Sequence, residues 1–234
     1  MAAFKYCSFL LFSLLAFQSF ATHNRAGEIT YRHISDLTYE FTITTYTEPS
    51  SPADRDSLTI NFGDGIEETI PRDSETLLTP VVKKNTYTTT YTYGGISTYV
   101  IYVIDPNRVD GIINISGSVN VPFCLIDTLK MPDPLTLGYN SSPVLDLDPV
   151  DYANVGQIFT HNPGAWDPDG DSLHFTLIVP KQAPNMDVPG YIFPQDVDTS
   201  CFDSFTIDPN TGEIVWNAPC LKGISNIAIL IREV

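Results

Sequence analysis

Between Ala165 and Phe175 the chain reads AWDPDGDSLHF, which sets Asp167, Asp169 and Asp171 at alternate positions just ahead of an alternating apolar run. Carboxylates that close repel one another unless something offsets their charge. Ca²⁺ would do so, because it takes six to eight oxygen ligands and accepts carboxylates from one wrapping loop. Gly170 lets the backbone turn tightly between the acids. The loop is not an EF-hand: counted from Asp167, the glycine comes fourth and position twelve is Ile178, where that motif needs a bidentate Glu. Further ligands must come from elsewhere, and Asp208, Asp151, Glu213 and Glu233 are the candidates, the last if an ion sits at a junction between domains. The competing reading is a solvated turn whose Asp side chains cap their own backbone.

Other chemistry is thin. His23, His33, His161 and His174 form no zinc-type spacing, and there is no G-x-S-x-G elbow. Cys124 has no histidine nearby in sequence, and picking two glycosidase carboxylates out of 28 acids proves nothing. The expectation is a non-catalytic protein. Trp166, immediately before the acidic loop, is a candidate for stacking on a sugar. A formal charge of −16 argues against nucleic acid, which needs basic patches, and suits cation binding.

The N-terminus bears on the compartment. Lys5 precedes the apolar run Phe9 to Phe17, and Ser19-Phe20-Ala21 supplies small residues at a cleavage site, so residues 1–21 read as a secretory signal peptide. No later segment is apolar enough to span a bilayer as a helix. Export permits disulfides, and Cys201 with Cys220 would close a loop of modest length, leaving Cys124 over.

The elements that must position these residues are strands. Leu37, Tyr39, Phe41 and Ile43 alternate with polar residues, and Leu58-Ile60-Phe62, Leu173-Phe175-Leu177 and Ile227-Ile229-Ile231 repeat the period of two. TYVIYVI, Thr98 to Ile104, is apolar on both faces and reads as a central strand. NTYTTTYTY reads as an exposed sheet face. Short strands separated by FGDG, YGG and DPNTG describe an all-β chain of two tandem immunoglobulin-like β-sandwiches. We expect a first domain over 22–122, a proline-rich linker over 123–142 and a second domain over 143–234, with SNIAILIREV ending so abruptly that further domains are expected beyond it.

Two resemblances refine this. INFGDG, Ile60 to Gly65, with YTYGGISTYVIYVID downstream, resembles the polycystic-kidney-disease (PKD) domain, although the tryptophan of that family's hallmark is missing and Asn61 replaces its usual Asp. The second half resembles cadherin-like, putative-Ig modules: Ala165, Asp167, Asp169, Gly170, Asp171, Leu173, Phe175 and Leu177 fit one motif, and Phe205, Ile207, Asp208, Thr211, Gly212, Ile214, Trp216 and Pro219 fit the other. Together with HNRAGEITYR and VPFC, the arrangement resembles the N-terminal region of gliding-motility-associated, type IX secreted surface proteins of Bacteroidetes. The resemblance implies a secreted or cell-surface module that binds Ca²⁺ and contacts cell-surface proteins or glycans. The alternative is the carbohydrate-binding accessory region of a larger hydrolase.

Overall fold

The structure, a computed structural model, describes residues 24–51, 54–131 and 138–234; the segment expected to be a signal peptide lies outside the described residues. The chain is all-β and its sheets are antiparallel. Among the described residues no helix is long and apolar enough to cross a membrane.

Eight strands build the first half: β1 (Asn24–Ser35), β2 (Thr38–Thr47), β3 (Ser57–Asn61), β4 (Glu67–Pro71), β5 (Ser74–Thr79), β6 (Val82–Thr92), β7 (Thr98–Asp105) and β8 (Phe123–Lys130). They form two sheets, ordered β1-β2-β6-β5 and β4-β3-β7-β8. The alternation in TYEFTITTYT puts Tyr39, Phe41 and Ile43 inward, where they meet Ile60, Phe62, Ile101 and Leu129 of the facing sheet in one buried cluster. Between β3 and β4 the FGDG turn needs its glycine. Gly63 has φ +84°, and a Cβ there would lie 2.7 Å from the backbone of Val100.

Two expectations change here. The block read as apolar on both faces is β7, flanked by β3 and β8 as a central strand should be, yet Val100 and Ile104 are exposed and only Ile101 and Val103 face the core. The strand read as an exposed tyrosine face is β6, and its tyrosines point inward. Tyr87 and Tyr93 are buried, their hydroxyls donating to the carbonyls of Arg55 at 2.6 Å and Phe62 at 3.0 Å, while Tyr91 stacks on Phe62. A tyrosine near a sheet end can bury its ring and still reach a backbone acceptor, so period-two Tyr/Thr marks a core face as readily as a wet one.

The stretch expected to be linker begins with β8, which pairs with β7 from Phe123↔Asp105 to Lys130↔Thr98. Phe123, Leu125 and Leu129 alternate inward, a pattern hidden in the sequence by the prolines on either side.

The second half uses shorter strands: β9 (Val144–Leu145), β10 (Phe159–His161), β11 (Ala165–Trp166), β12 (Leu173–Ile178), β13 (Lys181–Ala183), β14 (Met186–Asp187), β15 (Ser204–Ile207), β16 (Ile214–Asn217) and β17 (Ala228–Glu233). They pair as β10-β16-β15, β12-β17, β9-β11 and β13-β14. Gly212, at φ +72°, turns the β15–β16 hairpin directly against the Phe175 ring.

The halves meet across a buried seam. Val109, Ile112, Ile115 and Val121 pack with Val188, and Tyr191 and Ile224 lie against them. Asn114 donates to the carbonyls of Ile192 and Asn226 and accepts from the Asn226 N–H. Arg108 is buried and among the described residues has no carboxylate partner; its guanidinium donates to Asn226 Oδ1 at 3.0 Å and the Lys181 carbonyl at 2.8 Å and lies over Phe123. Burial pushes it down to about 10, and it stays charged.

Candidate functional site

The acidic loop joins β11 to β12 and is held by its own side chains. Asp167 Oδ1 accepts the backbone N–H groups of Asp169 at 2.8 Å and Asp171 at 3.2 Å, while Gly170, at φ +91°, donates to the Asp167 carbonyl. That is the self-capped turn, and it orders the loop before any ion arrives. Asp169 Oδ2 reaches out of the loop and accepts the Ser141 N–H at 2.6 Å.

Strand pairing brings a fourth acid. Glu233 ends β17 opposite Leu173, at the start of β12, next to the loop exit. Its Oε2 accepts from Asn140 Nδ2 at 2.8 Å, and the same amide donates to Tyr31 of β1 at 3.2 Å. A fifth comes from the first half. Asp127 sits in the inward phase of β8, among Phe123, Leu125 and Leu129, where an apolar side chain belongs. The residue keeps partial exposure, but its Oδ2 is sealed from solvent and among the described residues has no hydrogen-bond partner, while its Oδ1 accepts the Thr128 N–H.

These charges act on one another. Burial raises Glu233, opposed by the Asn140 hydrogen bond and reinforced by repulsion from Asp167, Asp171 and Asp169. Burial, with a smaller push from Glu233, lifts Asp127 to about 7 against the pull of the Thr128 N–H. Tyr31 is raised by burial and by the charges of Asp127 and Glu233. Among the described residues none of these five carboxylates is in an ion pair. Asp167 Oδ2 is a second sealed and unpartnered oxygen. The acidic region around the loop therefore carries concentrated negative charge with amide and backbone donors and, among the described residues, no cation paired to it.

An oxygen-only donor set of this kind suits Ca²⁺ in type and number. The oxygens are not yet gathered. Among the described residues, the only three potential ligand atoms within 4.8 Å of one another belong to Asp198, Cys201 and Cys220. Those two sulfurs are joined in a disulfide, so that group is no metal centre. Ion binding at the seam would require the Asp167, Asp169, Asp171 and Glu233 side chains to rotate inward.

The other residues expected at the site lie elsewhere. Asp208 caps the β15–β16 hairpin, its Oδ1 accepting from Asn210 N and Thr211 N, which holds its carboxyl below the usual range; among the described residues no hydrogen bond joins it to the triplet. Asp151 pairs with His161 at 3.3 Å. Glu213 contributes its backbone to the same hairpin as Asp208. Trp166 is about half exposed, 47 %, with its Nε1 donating to Asp146. Cys124 is buried, and burial pushes its thiol up to about 11, which disfavours the thiolate.

Sequence reasoning missed Asp127, Asn140, Ser141 and Tyr31. One signal pointed to the first: in FCLIDTLK an acid stands where the apolar alternation requires a core residue. No protein-family model, curated protein or solved structure matches this chain.

Proposed function

We infer that this is a non-catalytic, exported β-module in which a Ca²⁺ ion bound at the seam between the halves stiffens the chain, so that it spaces or presents surfaces to cell-surface proteins or glycans. One observation carries the reading: Asp167, Asp169, Asp171, Glu233 and Asp127, drawn from both halves, share one uncompensated negative region with two sealed, unpartnered oxygens. Burying like charges is costly, and a divalent cation turns that cost into binding free energy. Asp169, Asp171 and Glu233 supply exchangeable carboxylates, and Asp127 supplies charge from the other side. The disulfide agrees with export. The exposed Trp166 face supports a second reading, a carbohydrate-binding accessory region, in which the same loop orients the indole.

The test is thermal unfolding with calcium against chelator. At a hundredfold excess over the dissociation constant, linkage gives about 2.7 kcal/mol, a rise of roughly 5–10 °C for a chain of this size. Asp171→Asn isolates the ion, because that exposed carboxylate accepts no hydrogen bond among the described residues. It should remove most of the rise, and in chelator it should melt no lower than the wild type, because it also relieves repulsion on Glu233. Equal melting in calcium and chelator overturns the reading. A glycan array on wild type and Trp166→Ala separates the spacer from the carbohydrate-binding alternative.

A further inference from the structure

A cleft of about 900 Å³ opens in the second half, between the irregular segments 149–157 and 219–227. Its floor is the face of β10-β16-β15 on which strand register sets Phe159, Trp216 and Phe205 side by side. Phe205 and Trp216 meet edge to face at 5.4 Å, and the Trp216 indole is fixed by its Nε1–H bond to Asp203 at 2.8 Å. One wall, Asp151 to Ile158, is exposed along its length and leaves Tyr152 and Val155 beside the opening. An aromatic floor of this extent would be covered in a closed sandwich. Here it faces open volume within the range of small-molecule sites.

The charge on the lining is the reverse of that on the rest of the molecule. Arg25 and Lys222 both line the cleft, and among the described residues neither is in an ion pair, in a chain of net charge −16. Arg25 Nε is also sealed from solvent with no hydrogen-bond partner. The one carboxylate on the lining, Asp151, is taken up by His161 and by the Tyr152 N–H. Six cations elsewhere are engaged with acids, among them Arg72 and Lys83 with Asp54 and Glu75, Lys84 with Asp148 and Lys181 with Asp187, whereas Arg108, Lys130 and Arg232 are in no ion pair among the described residues. A free guanidinium beside a wide apolar floor recognises a planar carboxylate on an apolar body.

We propose that the cleft binds a medium- or long-chain carboxylate, with the chain on the Phe159–Trp216–Phe205 row and the headgroup on Arg25, assisted by Lys222. A single negative charge fits two cations within an otherwise acidic surface better than a dianion, which the surrounding field repels. None of the acidic residues at the loop lines the cleft, so failure of this site leaves the calcium reading untouched.

The experiment uses the full chain in chelator, in a Trp166→Phe background so that emission reports Trp216. Decanoate and decan-1-ol are titrated separately. Decanoate should bind about tenfold tighter than the alcohol, the size of one charge-assisted hydrogen bond, and should raise the melting temperature with one-to-one stoichiometry. Arg25→Gln should remove that preference while leaving alcohol binding unchanged, and Lys222→Gln should weaken it by a smaller factor. The proposal is overturned if decanoate and decanol bind alike, if neither alters Trp216 emission, or if Arg25→Gln leaves the preference intact. It is equally overturned if the chain self-associates and decanoate fails to compete, since a second copy then fills the cleft.

Discussion

The two halves of the chain stabilise themselves by different means. In the first, eight strands of up to twelve residues pair into two four-stranded sheets around one cluster, in which Phe41, Ile43, Ile60, Phe62, Ile101 and Leu129 have no exposed surface. In the second, no strand exceeds six residues, and apart from prolines the buried apolar side chains among the described residues are Phe175, Val188, Phe205 and Ile214, of which Val188 packs against the first half. What the second half lacks in core it replaces with a disulfide, self-capped Asp turns and a seam against its neighbour. A β-structure with little core needs staples. It is also the half where open volume and unpaired charge collect, because close packing elsewhere leaves no room for either.

If that contrast is real, equal truncations should have unequal costs. Phe41→Ala removes a fully buried ring from a closed cluster and should cost about 3–5 kcal/mol. Phe205→Ala lies beside the cleft, in the half with few buried apolar side chains around it, and should cost about half as much. Denaturant midpoints at constant slope measure both. Equal losses would mean that the second half is as tightly packed as the first.

How much of this was readable in the sequence follows the same division. In the first half, TYEFTITTYT and INFGDG announce their strand and turn, since period-two alternation and obligate glycines are local signals. β8 was masked by flanking prolines, and β6 was placed with its tyrosines outward, because periodicity gives two faces without saying which is buried. In the second half the acidic loop and the Cys201–Cys220 pair stood out by residue type. Asp127, Asn140 and Ser141 did not. They reach the loop through long-range packing of β8 and the chain after it, and no local spacing encodes that approach. Asp208 went the other way: it fits a motif, and its carboxylate is spent on its own hairpin.

The staple can be removed by itself. Cys201 and Cys220 stand 6.1 Å apart at Cα and close a loop with a sequence separation of 19. Loop-closure entropy assigns such a bond about 3 kcal/mol. Cys201→Ser with Cys220→Ser should therefore destabilise the second half by roughly 2–3 kcal/mol, seen as faster amide exchange in β15 and β16 while β2 and β6 keep their protection. Uniform loss of protection in both halves would show that the seam couples them into one cooperative unit.

The seam itself gives the smallest and most selective effect, through pH. Asp127 has its folded value raised to about 7 from an ordinary value of 3.8, so between those limits the folded chain holds a proton that the unfolded chain releases. Stability must then fall as pH rises through this window, and the loss is complete above about 7. Asp127→Asn keeps the shape and removes the charge. Without calcium it should match the wild type near pH 4 and exceed it by about 1–2 kcal/mol above pH 7, less than the full shift would give because the residue keeps partial exposure to screening solvent. Melting curves across that range in chelator measure the gap. Excess calcium should reverse it, because the charge that destabilises the empty seam strengthens the occupied one, and a gap that stays constant from pH 4 to pH 8 would show that Asp127 is not held by its burial against Glu233.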